Sequence, residues 1–378
     1  MIMAQNEFWQ GNKAIAMGAI AAGCRFFGGY PITPSTEVME TMSEELPKLG
    51  GKFVQMEDEI GGIASALGAS IAGKKAMTAS SGPGISLKQE LLGFGYIAEI
   101  PIVVADIMRG GPSTGLPTKV SQADVMQAKW GTHGDHGTIA YAPCSIPECY
   151  TITIKAFNMA ERFRQPVLVM ADEVIGHMRE KITIPEPGTY KIVDRKRPTV
   201  APDDFIPYRA DADDVPPMPA FGDGYRWHVT GLTTNEWGFP TNDAPDIGLK
   251  ANRIVRKVER FRDEIVEYRE DFMDDAEIVV VSYGSVSRSS LRAIRELREQ
   301  GVKVGHFRPI TLWPFPDKEI AAFSKRVKRI IVPELNAGQM VCEVERAVKA
   351  NCEVIAKNLI NGELYKPAEI MSFIKEVA

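Results

Sequence analysis

Four short segments in the first half of the chain place a charged or hydroxyl side chain among glycines and prolines. They are residues 29–35 (GYPITPS), 55–59 (QMEDE), 80–84 (SSGPG) and 109–115 (RGGPSTG). Arg109 offers a planar guanidinium that suits a carboxylate, which it can bind through two hydrogen bonds. Two stiff prolines hold Thr33 in a fixed direction. Together these residue types predict a site for an anionic ligand.

Glu59 follows a predicted strand that starts at Phe53, and it begins a helix built of small residues. A carboxylate at the carboxyl end of a strand lies where ligands bind in α/β folds. The glycines and alanines of 60–69 let neighbouring backbones and a flat ligand come close. Acids are also common at helix starts, where they interact favourably with the helix dipole. Both interpretations of Glu59 stay open from these residues alone.

The other loops leave similar alternatives. Arg109 could bind a ligand or pair with a nearby acid at the surface. Residues 80–84 lead into a predicted helix whose free amides could face a ligand, or they form a rigid strand–helix turn. Ser35 is expected to cap the helix that follows it.

Three further patterns are weaker. His133 and His136 have the residue types of metal ligands, but no third well-spaced ligand follows, which favours a loop or interface role. Residues 222–224 (GDG) resemble the start of a magnesium–diphosphate motif but follow no strand, so we interpret them as a coincidence. Residues 284–285 (GS) could hold an anion at a helix start, although a plain tight turn is favoured.

Short β-rich runs alternate with longer helical patterns through the first half, which indicates βαβ units and a mainly parallel sheet. The predicted strands are 25–30, 53–56, 76–79, 101–106, 138–142 and 166–170, and the predicted helices include 14–24, 86–96 and 147–164. The fold class is therefore α/β, with two parallel-sheet domains. We expect the first domain at 1–184, a proline-rich linker at 185–274, and a smaller α/β domain at 275–378.

The linker contains two recognisable stretches. Residues 225–240 are too aromatic for a free tether, with Trp227, Trp237 and Phe239, and should dock against this chain or a partner. Residues 247–271 have a charged amphipathic pattern that predicts one long helix.

Composition excludes several classes of protein. The 378 residues are 44% hydrophobic and 25% charged, as in soluble globular proteins. The net charge of −5, with no basic stripe, argues against nucleic acid. No apolar run is long enough to span a bilayer, and residues 1–7 lack the blocks of a secretory signal, so we expect a cytoplasmic location. The five cysteines form no Cys-x-x-Cys pair, which argues against a cluster or zinc motif within this chain.

At these loops the chain resembles the α subunit of the 2-oxoacid:ferredoxin oxidoreductases, and within that family the 2-oxoglutarate branch most closely. The resemblance covers nearly the whole chain. Its motifs are residues 29–34, 55–59, 81–84, 109–118, 130–136, 171–174, 231–232 and 334–339. It implies a pyrimidine-binding domain of thiamine-diphosphate enzymes, followed by a domain like the C-terminal domain of transketolase.

The resemblance also implies a role for each matching residue. Glu59 matches the glutamate that hydrogen-bonds the aminopyrimidine of thiamine diphosphate and favours the tautomer that deprotonates the thiazolium carbon. Tyr30 and Pro31 match positions lining that ring. Thr33 and Arg109 match residues that hold the oxo and carboxylate groups of the substrate.

The same resemblance implies partners. In this family the Mg²⁺–diphosphate motif and an iron–sulfur cluster lie on a β subunit, so this chain should supply half of an active site. Coenzyme A and ferredoxin would accept the acyl group and the electrons from 2-oxoglutarate. Separate γ and δ subunits are further expected partners.

Two alternatives remain. A branched-chain 2-oxoacid:ferredoxin oxidoreductase shares the fold and most of the loops. A non-catalytic scaffold that only stabilises a catalytic partner would not need a carboxylate at Glu59.

Overall fold

The computed structural model describes residues 5–186 and 188–378. Residues 1–4, used above to assess a secretory signal, and Pro187 of the proline-rich segment lie outside the described residues. The strands are β1 (Gln5–Gln10), β2 (Cys24–Gly29), β3 (Lys52–Gln55), β4 (Lys75–Ser80), β5 (Ile102–Gly110), β6 (Leu116–Val120), β7 (Ala140–Tyr141), β8 (Pro166–Asp172), β9 (Arg179–Ile184), β10 (Tyr268–Asp271), β11 (Ile278–Val281), β12 (Val304–Pro309), β13 (Thr311–Trp313), β14 (Arg329–Glu334) and β15 (Glu353–Asn358).

The α-helices alternate with these strands. They are α1 (Gly11–Ala21), α2 (Thr36–Glu45), α3 (Glu59–Ile71), α4 (Gly82–Ile97), α5 (Val125–Trp130), α6 (Ile146–Phe163), α7 (Glu173–His177), α8 (Ala244–Arg260), α9 (Arg262–Ile265), α10 (Gly284–Glu299), α11 (Asp317–Ser324), α12 (Met340–Val348) and α13 (Pro367–Val377). Short 3₁₀ turns occur at Pro47–Leu49 and Pro202–Asp204. The six strands and three helices predicted in the first half are each found within a few residues of their predicted bounds.

The first sheet has the strand order β13-β7-β8-β5-β4-β2-β3, with β6 paired to β5. The strands from β7 to β3 pair in parallel, and β13 and β6 are antiparallel. Strands β4, β5 and β8 are buried along their whole length, as expected for a parallel sheet covered on both faces. The predicted α/β class is confirmed.

Helix α3 packs unusually close to β2 because both carry small residues. A β-carbon on Gly28 would lie 2.0 Å from Ser65 Oγ, and one on Gly62 would lie 3.1 Å from the Cα of Gly29. Neither position therefore has room for a larger side chain. The close approach predicted for this small-residue helix is therefore present.

The second sheet has the order β10-β12-β11-β14-β15, parallel except for β10. The chain crosses from one sheet to the other within two residues: β12 belongs to the second sheet, and β13, which starts at Thr311, pairs with β7 in the first. The two sheets are consequently joined by this direct strand-to-strand connection as well as by the linker.

The predicted helix at 247–271 is too long. Helix α8 ends at Arg260 and α9 at Ile265, and Tyr268–Asp271 is strand β10, antiparallel to β12. The amphipathic pattern was correct for α8, but Tyr268 and its neighbours gain hydrogen bonds in a sheet that only the tertiary fold provides. The domain bounds given above remain a prediction.

The linker packs over the first domain. Arg253 and Lys257 of α8 reach the carboxylate of Glu99 at 2.6 and 3.0 Å, and all three side chains are buried. Of the aromatic residues, Trp227 stacks edge-on against Phe221 at 5.0 Å, whereas Trp237 and Phe239 remain 50% and 60% exposed. Among the residues that the structure describes, no helix is long and apolar enough to cross a membrane.

Candidate functional site

The four loops singled out in the sequence follow β2, β3, β4 and β5, which stand side by side in the order β5-β4-β2-β3. Because these strands are parallel, the loops that follow them lie together at the carboxyl ends of the strands. The chain runs from β2 to β3 on one side and then to β4 on the other, so the order reverses at β2. Such a reversal opens the crevice in which α/β proteins bind ligands.

The acids at the start of α3 have different roles. Asp58 is the N-cap residue, and its Oδ1 accepts a 2.7 Å hydrogen bond from the amide of Gly61. Glu59 is 7% exposed, and none of the described residues donates a hydrogen bond to its carboxylate. Asp58 thus caps the first turn of the helix. The buried carboxylate of Glu59 is not used in capping and remains available to a hydrogen-bond donor from outside the described residues.

The loop after β4 lies directly against Glu59. A β-carbon on Gly84 would lie 2.8 Å from Glu59 Oε1 and 2.1 Å from Ser80 Oγ. The hydroxyls of Ser80 and Ser81 are buried and have no hydrogen-bond partner among the described residues. Glycine at position 84 therefore leaves the space that the Glu59 carboxylate occupies.

Arg109 joins the loops after β2 and β5. It lies at the end of β5, which extends further than predicted, and it is 5% exposed. Its Nη1 donates to the carbonyl of Thr33, and its Nη2 donates to that of Thr114 at 3.1 Å. Burial lowers the pKa of Arg109, while the carboxylates of Asp124 and Glu59 act to raise it. The structure thus brings Thr33, Glu59 and Arg109 together.

Tyr30, Pro31 and Thr33 form the outer wall of the crevice. All three are exposed, with Tyr30 at 38%. Ser35 occupies the N-cap position of α2 but makes no side-chain cap; its hydroxyl donates instead to the carbonyl of Ile32 at 3.0 Å. The prediction that Ser35 caps the helix was wrong because the tight turn before it offers a nearer acceptor.

A buried acidic pair lies behind the loops. Burial raises the pKa of Asp106, and the neighbouring Asp124 raises it further. Burial also raises the pKa of Asp124, to about 6. The two carboxyl groups hydrogen-bond each other, whereas Nε of Arg109 is buried and has no hydrogen-bond partner among the described residues. Buried polar atoms are usually paired, so Nε of Arg109 is suited to a polar ligand.

A cavity of about 630 Å³ opens in front of this group. Arg109, Ser113 and Asp124 line it from the first domain, and Asn336, Gln339 and Ile360 line it from the second. The residues from the second domain were not predicted, since nothing near them in sequence indicates which loops of the first domain they face.

Lys88 and the two aspartates were also missed by sequence reasoning. Lys88 lies on α4, is fully buried, and donates a 2.9 Å hydrogen bond to the backbone carbonyl of Glu59. In sequence it is a polar residue within a helical pattern, typical of a solvated face. The only available signal was its place four residues after Gly84, on the same face of the helix.

The weaker patterns have local explanations. His136 stacks on Tyr96 with the ring centroids 4.1 Å apart, and burial lowers its pKa to about 4. Asp223 closes a turn by accepting a 2.8 Å bond from the amide of Ala220. The amide of Ser285 donates to Asp172 Oδ2 at 2.7 Å. In the described ranges no group of three His, Cys, Asp or Glu residues could hold a metal ion.

Two family profiles match the chain. Residues 17–253 match the thiamine-diphosphate-binding domain of pyruvate flavodoxin/ferredoxin oxidoreductases. Residues 276–370 match core domain II of pyruvate:ferredoxin oxidoreductase. The first profile covers the crevice and all four loops.

Curated relatives align over almost the full chain. The chain is 50% identical to the 2-oxoglutarate synthase subunit KorA of Methanothermobacter thermautotrophicus, over 98% of this chain and 99% of the relative. It is 53% identical to the subunit of that name from Methanocaldococcus jannaschii, over 96% and 98%. A ketoisovalerate oxidoreductase subunit, VorB of M. thermautotrophicus, is 36% identical over 98% and 97%.

A solved structure has the same fold. The 2-oxoglutarate:ferredoxin oxidoreductase of Magnetococcus marinus, with 2-oxoglutarate, coenzyme A and succinyl-CoA bound, aligns with a TM-score of 0.92 and 34% identity. The alignment covers 98% of this chain and 65% of that chain, so this chain spans slightly less than two thirds of it. From the profile match across the crevice and the near full-length relatives, the chain belongs to the 2-oxoacid:ferredoxin oxidoreductase family.

Proposed function

We propose that this chain is the α subunit of a 2-oxoglutarate:ferredoxin oxidoreductase. The complex interconverts 2-oxoglutarate, coenzyme A and oxidised ferredoxin with succinyl-CoA, carbon dioxide and reduced ferredoxin. The observation that carries the proposal is Glu59: a buried carboxylate with no donor on it among the described residues, at the reversal point of the sheet and beside Arg109. Relatives named as 2-oxoglutarate synthase subunits, 50% and 53% identical, support the choice of substrate.

The residues around Glu59 suit the pyrimidine ring of thiamine diphosphate. Such a ring carries hydrogen-bonding nitrogens, and the buried atoms without partners beside Glu59 include the hydroxyls of Ser80 and Ser81. Tyr30 and Pro31 would line the ring. When bound, the cofactor supplies a carbon nucleophile and an electron sink for loss of carbon dioxide. Glu59 would hold or release a proton at a ring nitrogen, and its burial strengthens that hydrogen bond.

Arg109 would bind the substrate carboxylate next to the 2-oxo group. Its guanidinium is already held by the carbonyls of Thr33 and Thr114, so little side-chain entropy is lost when a carboxylate binds. The exposed side chain of Thr33 would contact the oxo group. Because burial disfavours the charged guanidinium, an incoming carboxylate restores a favourable environment.

The active site is completed by another subunit. The relatives are named as subunits, and the family resemblance assigns the Mg²⁺–diphosphate motif and the iron–sulfur cluster to a β subunit. The exposed wall of Tyr30, Pro31 and Thr33 is where that partner would cover the ring. Separate γ and δ subunits and ferredoxin are the further proposed partners, in the cytoplasm. We retain the division into domains at 1–184 and 275–378, with the linker at 185–274, as part of this proposal.

The decisive experiment replaces Glu59 by Gln in the assembled complex. This change keeps the size and removes the carboxylate that would exchange the proton, so 2-oxoglutarate-dependent ferredoxin reduction should fall by about 100-fold or more. Replacing the exposed neighbour Glu57 by Gln is the matched control and should leave turnover unchanged. Full activity of the Glu59→Gln complex would favour the scaffold interpretation.

The branched-chain alternative is tested with the substrate. Relatives named as ketoisovalerate oxidoreductase subunits are 36% and 35% identical to this chain, which is less than the 2-oxoglutarate relatives. We expect a higher kcat/KM for 2-oxoglutarate than for 2-oxoisovalerate in steady-state assays of the wild-type complex. The opposite order would reassign the substrate and leave the role of Glu59 intact.

A further inference from the structure

Lys88 is an unusual residue for the interior of a domain. It is fully buried on α4, and lysine is almost never buried without a partner. Its Nζ donates to the backbone carbonyl of Glu59 at 2.9 Å, across 29 positions of sequence. No other hydrogen bond of this ammonium group is present in the described part of the chain. Burying an ammonium group with a single hydrogen bond is energetically costly.

Lys88 and Gly84 lie one helical turn apart on the same face of α4. Gly84 lies under the Glu59 carboxylate, where a β-carbon would come 2.8 Å from Oε1. Lys88 holds the backbone of the same residue. Helix α4 thus affects Glu59 in two ways. Gly84 leaves room for its carboxylate, and Lys88 donates a hydrogen bond to its backbone carbonyl.

Few charged groups of the described residues interact with this contact. Burial lowers the pKa of Lys88 to about 8, while Glu59 and Asp58 act to raise it. The charged groups that face Glu59 are Lys88 from α4 and Arg109 from β5, with Asp58 adjacent in the chain. Arg109 in turn faces Asp124. Lys88 is therefore the titratable cation of this group within the physiological pH range.

We propose that Lys88 is a positioning residue for Glu59: its ammonium group fixes the first turn of α3 and keeps a positive charge beside the Glu59 carboxylate. This inference rests on the proposed role of Glu59 toward the aminopyrimidine of thiamine diphosphate. A nearby positive charge favours the carboxylate over the carboxylic acid. With the cofactor bound, Glu59 would then accept a hydrogen bond from the ring as a carboxylate.

One effect on cofactor binding and one pH effect follow. Removing the ammonium at Lys88 removes the hydrogen bond to the Glu59 carbonyl, so thiamine diphosphate should bind more weakly. Deprotonation of Lys88 itself, near pH 8, should weaken cofactor binding as the pH rises. Arginine at this position keeps its charge at any such pH, so Lys88→Arg should remove the alkaline loss.

The test uses the assembled complex with Lys88→Met and Lys88→Arg. Thiamine diphosphate affinity is measured by isothermal titration calorimetry from pH 6 to 9, and kcat/KM for 2-oxoglutarate is measured over the same range. For Lys88→Met we expect about tenfold weaker thiamine diphosphate binding at pH 7 and no further loss of affinity above pH 8, since the titrating ammonium is gone. For Lys88→Arg we expect affinity that no longer falls above pH 8.

The matched control is Lys250→Met. Lys250 is also buried, with its pKa lowered to about 8 by burial, but it donates to Thr234 Oγ1 at 2.8 Å and does not contact Glu59. It should leave the pH profile and the cofactor affinity unchanged. If the complex with Lys88→Met fails to assemble, the complex with Lys88→Arg decides. If its affinity for thiamine diphosphate falls above pH 8 as much as that of the wild type, the proposal is overturned.

The outcomes separate the two proposals. Wild-type pH profiles in Lys88→Met, together with an inactive Glu59→Gln complex, would overturn the role of Lys88 alone. A fully active Glu59→Gln complex would overturn the proposed function itself. Equal effects of Lys88→Met and Lys250→Met would mean that only the burial of a lysine matters, which also rejects the positioning role.

Discussion

The carboxylate of Asp172, at the end of β8 in the first sheet, accepts a 2.7 Å hydrogen bond from the amide of Ser285 in the first turn of α10. The side-chain amide of Gln122 donates to the same oxygen at 3.1 Å. Gly284 has a φ of +55° and leaves no room for a side chain, since a β-carbon would lie 2.5 Å from that oxygen. The start of α10, considered above as an anion site, is therefore occupied by the carboxylate of Asp172 from the same chain.

Asp172→Asn should weaken the contact between the two domains. The change keeps the shape of the side chain but removes its negative charge, which the N-terminus of α10 and the two amide donors stabilise. A hydrogen bond to a charged group contributes about 1.5–3 kcal/mol. We expect the free energy of unfolding to fall by about that amount in urea titrations. Asp203→Asn, in an exposed turn, should change it by less than about 0.5 kcal/mol.

Gly84→Ala should displace the Glu59 carboxylate, because the added β-carbon would lie 2.1 Å from Ser80 Oγ and 2.8 Å from Glu59 Oε1. A misplacement of this size costs about 100-fold in turnover. The measurement is ferredoxin reduction by the assembled complex. Gly68→Ala, in α3 with nothing within 4 Å of the new carbon, should retain turnover and gain about 0.5–1 kcal/mol of stability. Equal activity in both variants would contradict the assignment of Gly84.

Arg109→Lys should raise the KM for 2-oxoglutarate by about 10- to 100-fold, since a charged hydrogen bond contributes about 1.5–3 kcal/mol and lysine lacks the planar fork. The hydrogen bonds to the carbonyls of Thr33 and Thr114 would also be lost. Initial rates at varied substrate concentration provide the measurement. Arg292→Lys, at an exposed pair with Glu296, serves as the control. A KM that stays at the wild-type value would remove Arg109 from the substrate site.

Glu99 should make stability depend on acid pH. Burial raises the pKa of Glu99, but Arg253 and Lys257 lower it more, so its pKa lies well below the usual value. The stabilisation is then fully present above the usual glutamate pKa of about 4.3 and is lost as pH falls toward the folded-state pKa. Thermal melting between pH 3 and 7 should reveal this loss in the wild type.

Glu99→Gln should reduce stability by about 3–5 kcal/mol near neutral pH, because the buried charges of Arg253 and Lys257 lose their partner. It should also flatten the fall in melting temperature below pH 5. A variant that melts like the wild type at pH 7 would mean that the surrounding carbonyls alone satisfy the two cations.

The sequence was sufficient for the residues whose position follows from strand order. Thr33, Glu59 and Arg109 each follow or end a strand of the first sheet, and parallel strands place such residues together at their carboxyl ends. The role of Asp58 as the cap, which leaves Glu59 free, required the observed hydrogen bond to Gly61.

Residues whose environment depends on distant parts of the chain could not be predicted. Lys88 and Asp106 are buried, yet lysine and aspartate in sequence are typical of exposed positions. Strand β10 was predicted as helix because its partner, β12, is more than thirty residues away. A local sequence pattern does not indicate strand pairing between residues so far apart in the chain.

The crossing of the chain at Thr311 makes the two domains poor candidates for separation. β13 covers β7, which would otherwise leave a free edge on the first sheet. A fragment ending at residue 253, the limit of the first profile match, would expose that edge to pairing with other molecules. Such a fragment is expected to aggregate rather than to bind the cofactor, so the two domains should be produced together as one polypeptide.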